Sequence, residues 1–207
     1  MSPKPAWKLW IFLAIAVVVA FVLVPQLGGM LLSEHHIISS RMLLNESPES
    51  VWHAISDLAA TPDWYPNVAS EERLADREGH QVWRERYRNG EELVLQTVES
   101  CPPYRMVRAA AEGTARESWE FDLQPTTAGT ELRIIESGDI PNPFRRFVSK
   151  YLMGHFRAIN NYERALALRF DEPARIENMR HVRREPVIRS LNGTEQPCRT
   201  VSVTAAR

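Results

Sequence analysis

The 207-residue sequence has few cysteines and almost no net charge, and both shortages exclude classes of protein. Cys101 and Cys198 are too few for a disulfide-rich scaffold or a four-thiolate zinc site, and we expect free thiols rather than a bridge. Lys and Arg number 25 against 26 Asp and Glu, so the chain lacks the basic excess typical of nucleic-acid binding. Its 44% of hydrophobic residues is enough to form a folded core.

Short motifs that carry chemistry are also missing. The sequence contains no Gly-x-Ser-x-Gly elbow, no glycine-rich phosphate loop and no Cys-x-x-Cys pair. His35 and His36 are the only adjacent histidines, and neighbours on a strand point to opposite faces, so we predict no metal site there. We therefore expect no metal and no cofactor, and binding is favoured over catalysis.

One long apolar run stands near the N-terminus. Residues 7–24 contain 17 apolar residues out of 18, and at about 1.5 Å per residue they span roughly 27 Å. We predict a transmembrane anchor over residues 7–27, with a cleaved signal sequence as the alternative. Lys4 and Lys8 favour a cytoplasmic tail over residues 1–6. The remaining chain should then lie outside the cytoplasm, on the periplasmic side of a bacterial inner membrane.

The middle of the chain has the patterns of an α+β domain. Ser47, Pro48 and Glu49 mark a helix start, with a capping serine and proline in the first turn. Strand-like segments separated by turn residues surround it, and Asn89-Gly90 is a strong hairpin signal. The predicted strands are residues 36–44, 68–74, 80–87, 91–100, 104–111, 115–123 and 130–137. Short connections predict antiparallel pairing between neighbours.

Apolar residues recur every three or four positions over residues 143–170, which predicts one long helix. Arg145, Arg146 and Lys150 near its start fit a solvated helix face, or contact with lipid headgroups. Residues 172–207 hold 7 arginines and 4 glutamates without a clear period. We predict a disordered basic tail there, with a possible short helix over residues 174–184.

This order of elements resembles the helix-grip fold of the START-like SRPBCC superfamily, within it the polyketide cyclase/dehydrase and lipid-transport family. The resemblance covers residues 35–170, essentially the whole of the ligand-binding domain that we predict over residues 34–171. It implies a curved antiparallel sheet of about seven strands wrapped on a long C-terminal helix, with an apolar cavity between them. The residues that carry it are 47–52 (SPESVW), Asp57, 63–68 (DWYPNV), 119–121 (WEF), 129–132 (GTEL) and 136–138 (ESG).

Strand parity selects the candidate site residues. Glu117 alternates in phase with Trp119 and Phe121, which predicts that it faces the interior. A carboxyl group there can bind a ligand hydroxyl or act as an acid or base, or it can simply pair with an arginine. The predicted ligand-binding residues are Trp64, Trp83, Glu85, Glu117, Trp119, Phe121, Glu136, His155 and Tyr162. Glu117 and His155 are the two candidates for a catalytic role.

Three functions remain open from the sequence. The first is a membrane-anchored domain that binds a hydrophobic small molecule or lipid in an internal cavity. The second is a cyclase or dehydratase that acts on a polyketide-like substrate. The third is an interaction domain whose cavity is filled by its own side chains. The sequence does not indicate an oligomeric state.

Overall fold

The computed structural model describes residues 6–112, 116–154 and 156–179. The chain divides into two compact units. We call the first the helical unit, which comprises the described residues of 1–36 and 139–155. We call the second the sheet unit, which comprises those of 37–138 and 156–207.

The helical unit is built on α1, which runs from Ala6–Met30 and includes Pro25. Its stretch Trp10–Met30 is, among the described residues, the one helix long and apolar enough to cross a membrane. A second, short helix, α4, covers Pro143–Val148 and continues into a π-helical turn at Ser149–Met153. The side chain of Asn142 caps α4 by accepting a hydrogen bond from the backbone N–H of Arg145 at 3.0 Å.

The sheet unit carries one antiparallel sheet in the strand order β2-β3-β4-β5-β6-β7-β1-β8. The first seven strands agree with the seven predicted ones to within three residues at each end. Short turns join β2 to β7 consecutively, so that each of these strands pairs with the next one in the chain. The strands are β1 His35–Leu44, β2 Val68–Arg73, β3 Val82–Tyr87, β4 Glu92–Cys101, β5 Arg105–Ala110, β6 Ser118–Thr126, β7 Gly129–Asp139 and β8 Ile176–Met179.

Helices cover one face of this sheet. α2 spans Pro48–Ser56, and the predicted cap is present, since Ser47 Oγ accepts from the Ser50 backbone N–H at 3.2 Å. A 3₁₀ turn at Leu58–Ala60 and the single-turn α3 at Thr61–Trp64 follow it. α5 runs from Arg157–Arg169. The core formed between sheet and helices includes Met42, Leu44, Val51, Ile55, Leu132, Ile134, Ile159 and Leu166.

Three sequence-based expectations are wrong. The predicted single helix over residues 143–170 is interrupted, because Gly154 has φ +79°, a left-handed conformation that ends a helix. The predicted disordered tail over residues 172–207 and its short helix over residues 174–184 are wrong where the structure describes them, since Ile176–Met179 forms β8, while residues 180–207 lie outside the described residues. β8 satisfies the backbone groups of β1, which is otherwise a sheet edge. Cys101 is disulfide-bonded and not a free thiol, and Cys198 lies outside the described residues.

Candidate functional site

An aromatic cluster lies between α5 and the sheet. Tyr162 of α5 is buried, and its ring centre lies 5.2 Å from that of Trp64 and 5.3 Å from that of Tyr65, both in edge-on geometry. The rings of Phe121 and Trp119 on β6 follow at 5.6 and 6.1 Å. Such ring pairs are favourable beyond their buried area. The rings contact one another directly, so a ligand in this region would have to separate them.

Three charged residues lie buried in the sheet unit. Arg108 on β5 donates from Nη1 to Oε2 of Glu85 on β3 at 3.3 Å. Its Nη2 lies 4.0 Å from Oε1 of Glu71 on β2. The Glu71 side chain is 0% exposed, and Glu85 and Arg108 are nearly as well buried. We call these residues the Glu71–Arg108–Glu85 triad.

The triad contains more hydrogen-bonding capacity than it uses. Both carboxyl oxygens of Glu71, together with Nε and Nη2 of Arg108, have no hydrogen-bond partner among the described residues. Buried polar groups normally find partners, because leaving one unsatisfied costs about 1–3 kcal/mol. These atoms are therefore candidates to pair with the polar group of another molecule.

Burial controls the protonation of the triad. It raises the pKa of Glu71 to about 8, and the negative charge of Glu85 acts in the same direction, while the charge of Arg108 opposes both. At neutral pH Glu71 is therefore mainly a neutral acid that can donate a hydrogen bond. Arg108 and Glu85 form an ion pair beside it.

Burial and the charge of Glu85 also affect the pKa values of three neighbouring tyrosines. Burial raises the pKa of Tyr65, Tyr87 and Tyr162, and the negative charge of Glu85 adds to the rise in all three. The phenols therefore stay protonated and can act as neutral hydrogen-bond donors or acceptors. Because Glu85 acts on all three, the aromatic cluster and the triad belong to one electrostatic site.

Glu117 and Glu136 lie near this site, although in different roles from those expected. Glu117 precedes β6, is half-buried, and accepts a hydrogen bond from Trp119 Nε1 at 3.0 Å. Glu136 on β7 is the direct cross-strand neighbour of Trp119. The negative charge of Glu136 contributes to the raised pKa of Tyr65, and that of Glu117 to the raised pKa of Tyr87. Both carboxylates therefore border the tyrosines of the site.

One predicted site residue, Trp83, is not brought into it. Trp83 is not among the residues packed on the hydrophobic core, and the guanidinium of Arg73 lies 5.5 Å from its ring centre. His155 lies outside the described residues. The structure does bring together the remaining seven predicted residues: Trp64, Glu85, Glu117, Trp119, Phe121, Glu136 and Tyr162.

Sequence reasoning missed Glu71 and Arg108. Alternation from the buried Val68 predicts that Ser70 and Glu72 face inward, but a bulge between Val68 and Ser70 shifts the register by one residue. Glu71 therefore faces the interior. The inward orientation of Arg108 could have been predicted from the sequence, because Arg108 alternates in phase with Met106, a core residue.

Comparison with known proteins identifies the fold. The family described as polyketide cyclase / dehydrase and lipid transport matches residues 35–167. A START superfamily protein from Mycobacterium smegmatis aligns with 66% of this chain and 97% of its own, at 16% identity and a TM-score of 0.55. A Mesorhizobium loti protein gives 18% identity and a TM-score of 0.51 over the same shares of both chains.

A third solved structure, an aromatase/cyclase from a Streptomyces species, aligns with 66% of this chain and 93% of its own, at 15% identity and a TM-score of 0.50. A search of curated proteins gave no significant match. At these identities the structural likenesses establish the helix-grip fold alone. The family match covers more than half of the chain. The chain therefore belongs to the polyketide cyclase / dehydrase and lipid transport family.

Proposed function

We propose that the sheet unit binds a hydrophobic small molecule or lipid whose polar group pairs with Arg108 and Glu71. The observation that carries this proposal is the set of unsatisfied buried atoms on these two residues. They lie in one electrostatic site with the aromatic rings around Tyr162, which favours a ligand with an apolar body and a polar end. Entry of such a ligand separates rings that contact one another in this structure.

Native mass spectrometry of the detergent-purified protein tests the proposal by detecting a co-purifying ligand. Replacing Arg108 with Met together with Glu85→Gln removes the ion pair without leaving a lone buried charge, so the protein should still fold. We expect this double variant to lose the bound mass. Retention of the ligand at wild-type occupancy would contradict the proposal.

Arg105 offers a matched control. It lies on the same strand as Arg108 and forms ion pairs with Glu99, Glu120 and Asp122. Three positions separate the two arginines, so they point to opposite faces of β5. Arg105→Gln should therefore reduce stability and leave ligand occupancy unchanged.

A cyclase-type enzyme is the second candidate, favoured by one observation. Glu71 is a neutral acid beside Glu85, which pairs with Arg108, and acids with raised pKa values are suited to general acid catalysis. If the site is catalytic, Glu71→Gln should reduce turnover of a co-purified ligand about 10²–10⁴-fold while ligand occupancy stays the same. If it only binds, no turnover will be seen in either protein.

The direct ring contacts favour a third candidate, an interaction domain whose interior is filled by its own side chains. Extraction of the purified protein with organic solvent distinguishes a filled interior from a bound lipid. Removal of a bound lipid should lower the melting temperature of the purified protein. A filled interior predicts no extractable lipid and no change.

The apolar α1 supports membrane attachment, with its N-terminus in the cytoplasm and the sheet unit on the other side. Its stretch Trp10–Met30 includes an 18-residue window with a mean hydropathy of 2.6, and no residue of that window is buried in the protein. Carbonate extraction should leave the full-length protein in the membrane fraction, and protease added to spheroplasts should reach the sheet unit. A soluble form that begins near residue 30 would instead identify α1 as a cleaved signal.

A further inference from the structure

We infer that residues 143–153, here called the interfacial segment, rest in the phospholipid headgroup layer at the C-terminal end of α1. The inference rests on the proposed membrane insertion of α1. It assigns a lipid contact to α4 and the π-helical turn, which lie in the same unit as α1.

The interfacial segment exposes large apolar side chains at its surface. Leu152 is 73% exposed and Tyr151 is 59% exposed, and Phe144 is exposed as well. Lys150 lies beside them, with its amine 5.5 Å from the ring centre of Tyr151. Tyrosine at an apolar–water boundary with a lysine reaching outward is the composition of membrane interfaces.

The length of α1 places the interfacial segment at headgroup depth. The 21 residues of Trp10–Met30 span about 32 Å, close to the ~30 Å thickness of the bilayer core. With Trp10 at one interface, Gly28 and Gly29 reach the other. Gly29 contacts α4 so closely that a Cβ there would lie 1.7 Å from the Pro143 carbonyl oxygen. α4 therefore begins at the level of the second interface.

Arg146 fixes the interfacial segment to the end of α1. It is 7% exposed, and its Nη1 donates to the Leu32 carbonyl at 2.7 Å. Its Nη2 donates to the Pro141 carbonyl at 3.0 Å and to Glu34 at 3.2 Å. The sequence-based expectation of a solvated Arg146 is therefore wrong, and the buried guanidinium holds the segment at a fixed depth.

The apolar and basic side chains of the interfacial segment favour contact with one kind of molecule, an anionic phospholipid. The pocket beside Lys150, with a volume of about 140 Å³, is also lined by Leu32, Ser33, Glu34, His35, His36, Ile140 and Arg146. Its one carboxylate, Glu34, pairs with Arg146, so the positive charge of Lys150 suits a phosphate better than an acyl chain. The occupant we infer is the anionic phospholipid around α1, with phosphate at Lys150 and the side chains of Tyr151 and Leu152 at the acyl boundary.

Depth-dependent fluorescence quenching tests this inference on the full chain in lipid nanodiscs. Single cysteines at Val17, Leu152 and Thr127, each in a Cys101→Ser, Cys198→Ser background, carry an environment-sensitive dye. Thr127 is an exposed residue of the β6–β7 turn and is the control. We expect a mid-chain nitroxide lipid to quench the dye at Val17, a headgroup nitroxide to quench it at Leu152, and neither to quench it at Thr127.

The outcomes separate this inference from the proposed anchor. Quenching at Val17 with none at Leu152 would overturn the interfacial segment and leave the anchor intact. No quenching at Val17 would overturn both, because α1 would then lie outside the bilayer.

Lipid charge tests the role of Lys150. Adding phosphatidylglycerol to phosphatidylcholine nanodiscs should increase headgroup quenching at Leu152 at least twofold. Lys150→Gln should abolish that increase, and Lys150→Arg should retain it. An increase that survives Lys150→Gln, or its absence in the wild-type protein, would overturn the assignment of phosphate to Lys150.

Discussion

Glu71 on β2 lies directly opposite Glu85 on β3, and Arg108 lies near both carboxyl groups. Two buried acids thus share one positive charge. Arg108 pairs more closely with Glu85, because its Nη1 lies 3.3 Å from Glu85 Oε2 while its Nη2 lies 4.0 Å from Glu71 Oε1. Glu71 consequently retains its proton into the neutral range, which has consequences for stability.

Replacing Glu71 with Gln should weaken the pH dependence of stability. The wild-type folded state keeps a proton that the unfolded state releases, so stability should fall as pH rises from about 4.5 to about 8. Each unit of difference in pKa corresponds to about 1.4 kcal/mol. The Gln side chain does not titrate, so the melting temperature of Glu71→Gln should decline less across this range.

Glu72→Gln is the control for that measurement, because Glu72 is an exposed neighbour that pairs with Arg84 at the surface. Its melting temperature should follow the wild-type pH profile. If Glu71→Gln also follows that profile, then the Glu71 carboxyl does not stay protonated in the folded protein.

Ser40→Ala should destabilise the sheet unit by about 1–3 kcal/mol. Ser40 Oγ donates to Oε1 of the fully buried Glu163 at 2.8 Å, and Oε2 of Glu163 has no partner among the described residues. The substitution leaves a second carboxyl oxygen unsatisfied. Ser39→Ala is the matched control, because its neighbouring hydroxyl is equally buried but accepts only a 3.4 Å bond from Arg133. Equal losses in urea unfolding would argue against the role of Ser40.

Glu163 should add to the pH dependence in the same direction. Burial raises its pKa to about 7, against the hydrogen bond from Ser40 and the charge of Arg164, which lower it. Its contribution to stability is therefore complete below about pH 4.5 and is lost as pH rises through about 7. Glu163→Gln should raise the melting temperature at pH 8 more than at pH 4. An equal shift at both pH values would contradict this protonation.

Tyr162→Leu should cost about 2–4 kcal/mol of stability, because the ring joins aromatic side chains from α3 and β6 to α5. Tyr162→Phe keeps the ring and should cost less than about 1 kcal/mol. Urea unfolding followed by tryptophan fluorescence reports both changes. Similar losses in the two variants would place the stabilising effect in the hydroxyl group and not in ring packing.

Arg146→Gln should loosen the helical unit without unfolding the sheet unit. It removes bonds to the carbonyl groups of Leu32 and Pro141, so amide exchange should accelerate in residues 31–36 and 140–153. Arg145→Gln changes the adjacent, exposed arginine and should leave exchange near wild type. Faster exchange across the sheet unit in Arg146→Gln would contradict a local role.

Much of the fold follows from local sequence signals. Alternating residues and turn pairs such as Asn89-Gly90 indicate β1 to β7, and Ser47-Pro48 indicates α2, because these signals act over a few residues. β8 has no comparable signal, since its pairing with β1 depends on an edge elsewhere in the chain. The helix breaks at Gly154, a single glycine within a helical pattern. Such a glycine is also tolerated inside a helix, so the sequence does not indicate the break.

The sequence by itself determined β1 to β7, the apolar N-terminal helix and the inward alternation of Glu85, Trp119 and Phe121, because periodicity records which face of an element is buried. Only the tertiary structure decided the polar part of the site. A one-residue bulge turned Glu71 inward, and the order of β2, β3 and β5 in the sheet brought it to Glu85 and Arg108. Register and pairing between distant strands arise from the packing of the whole sheet unit, so the position of this buried charge was not encoded in any single segment.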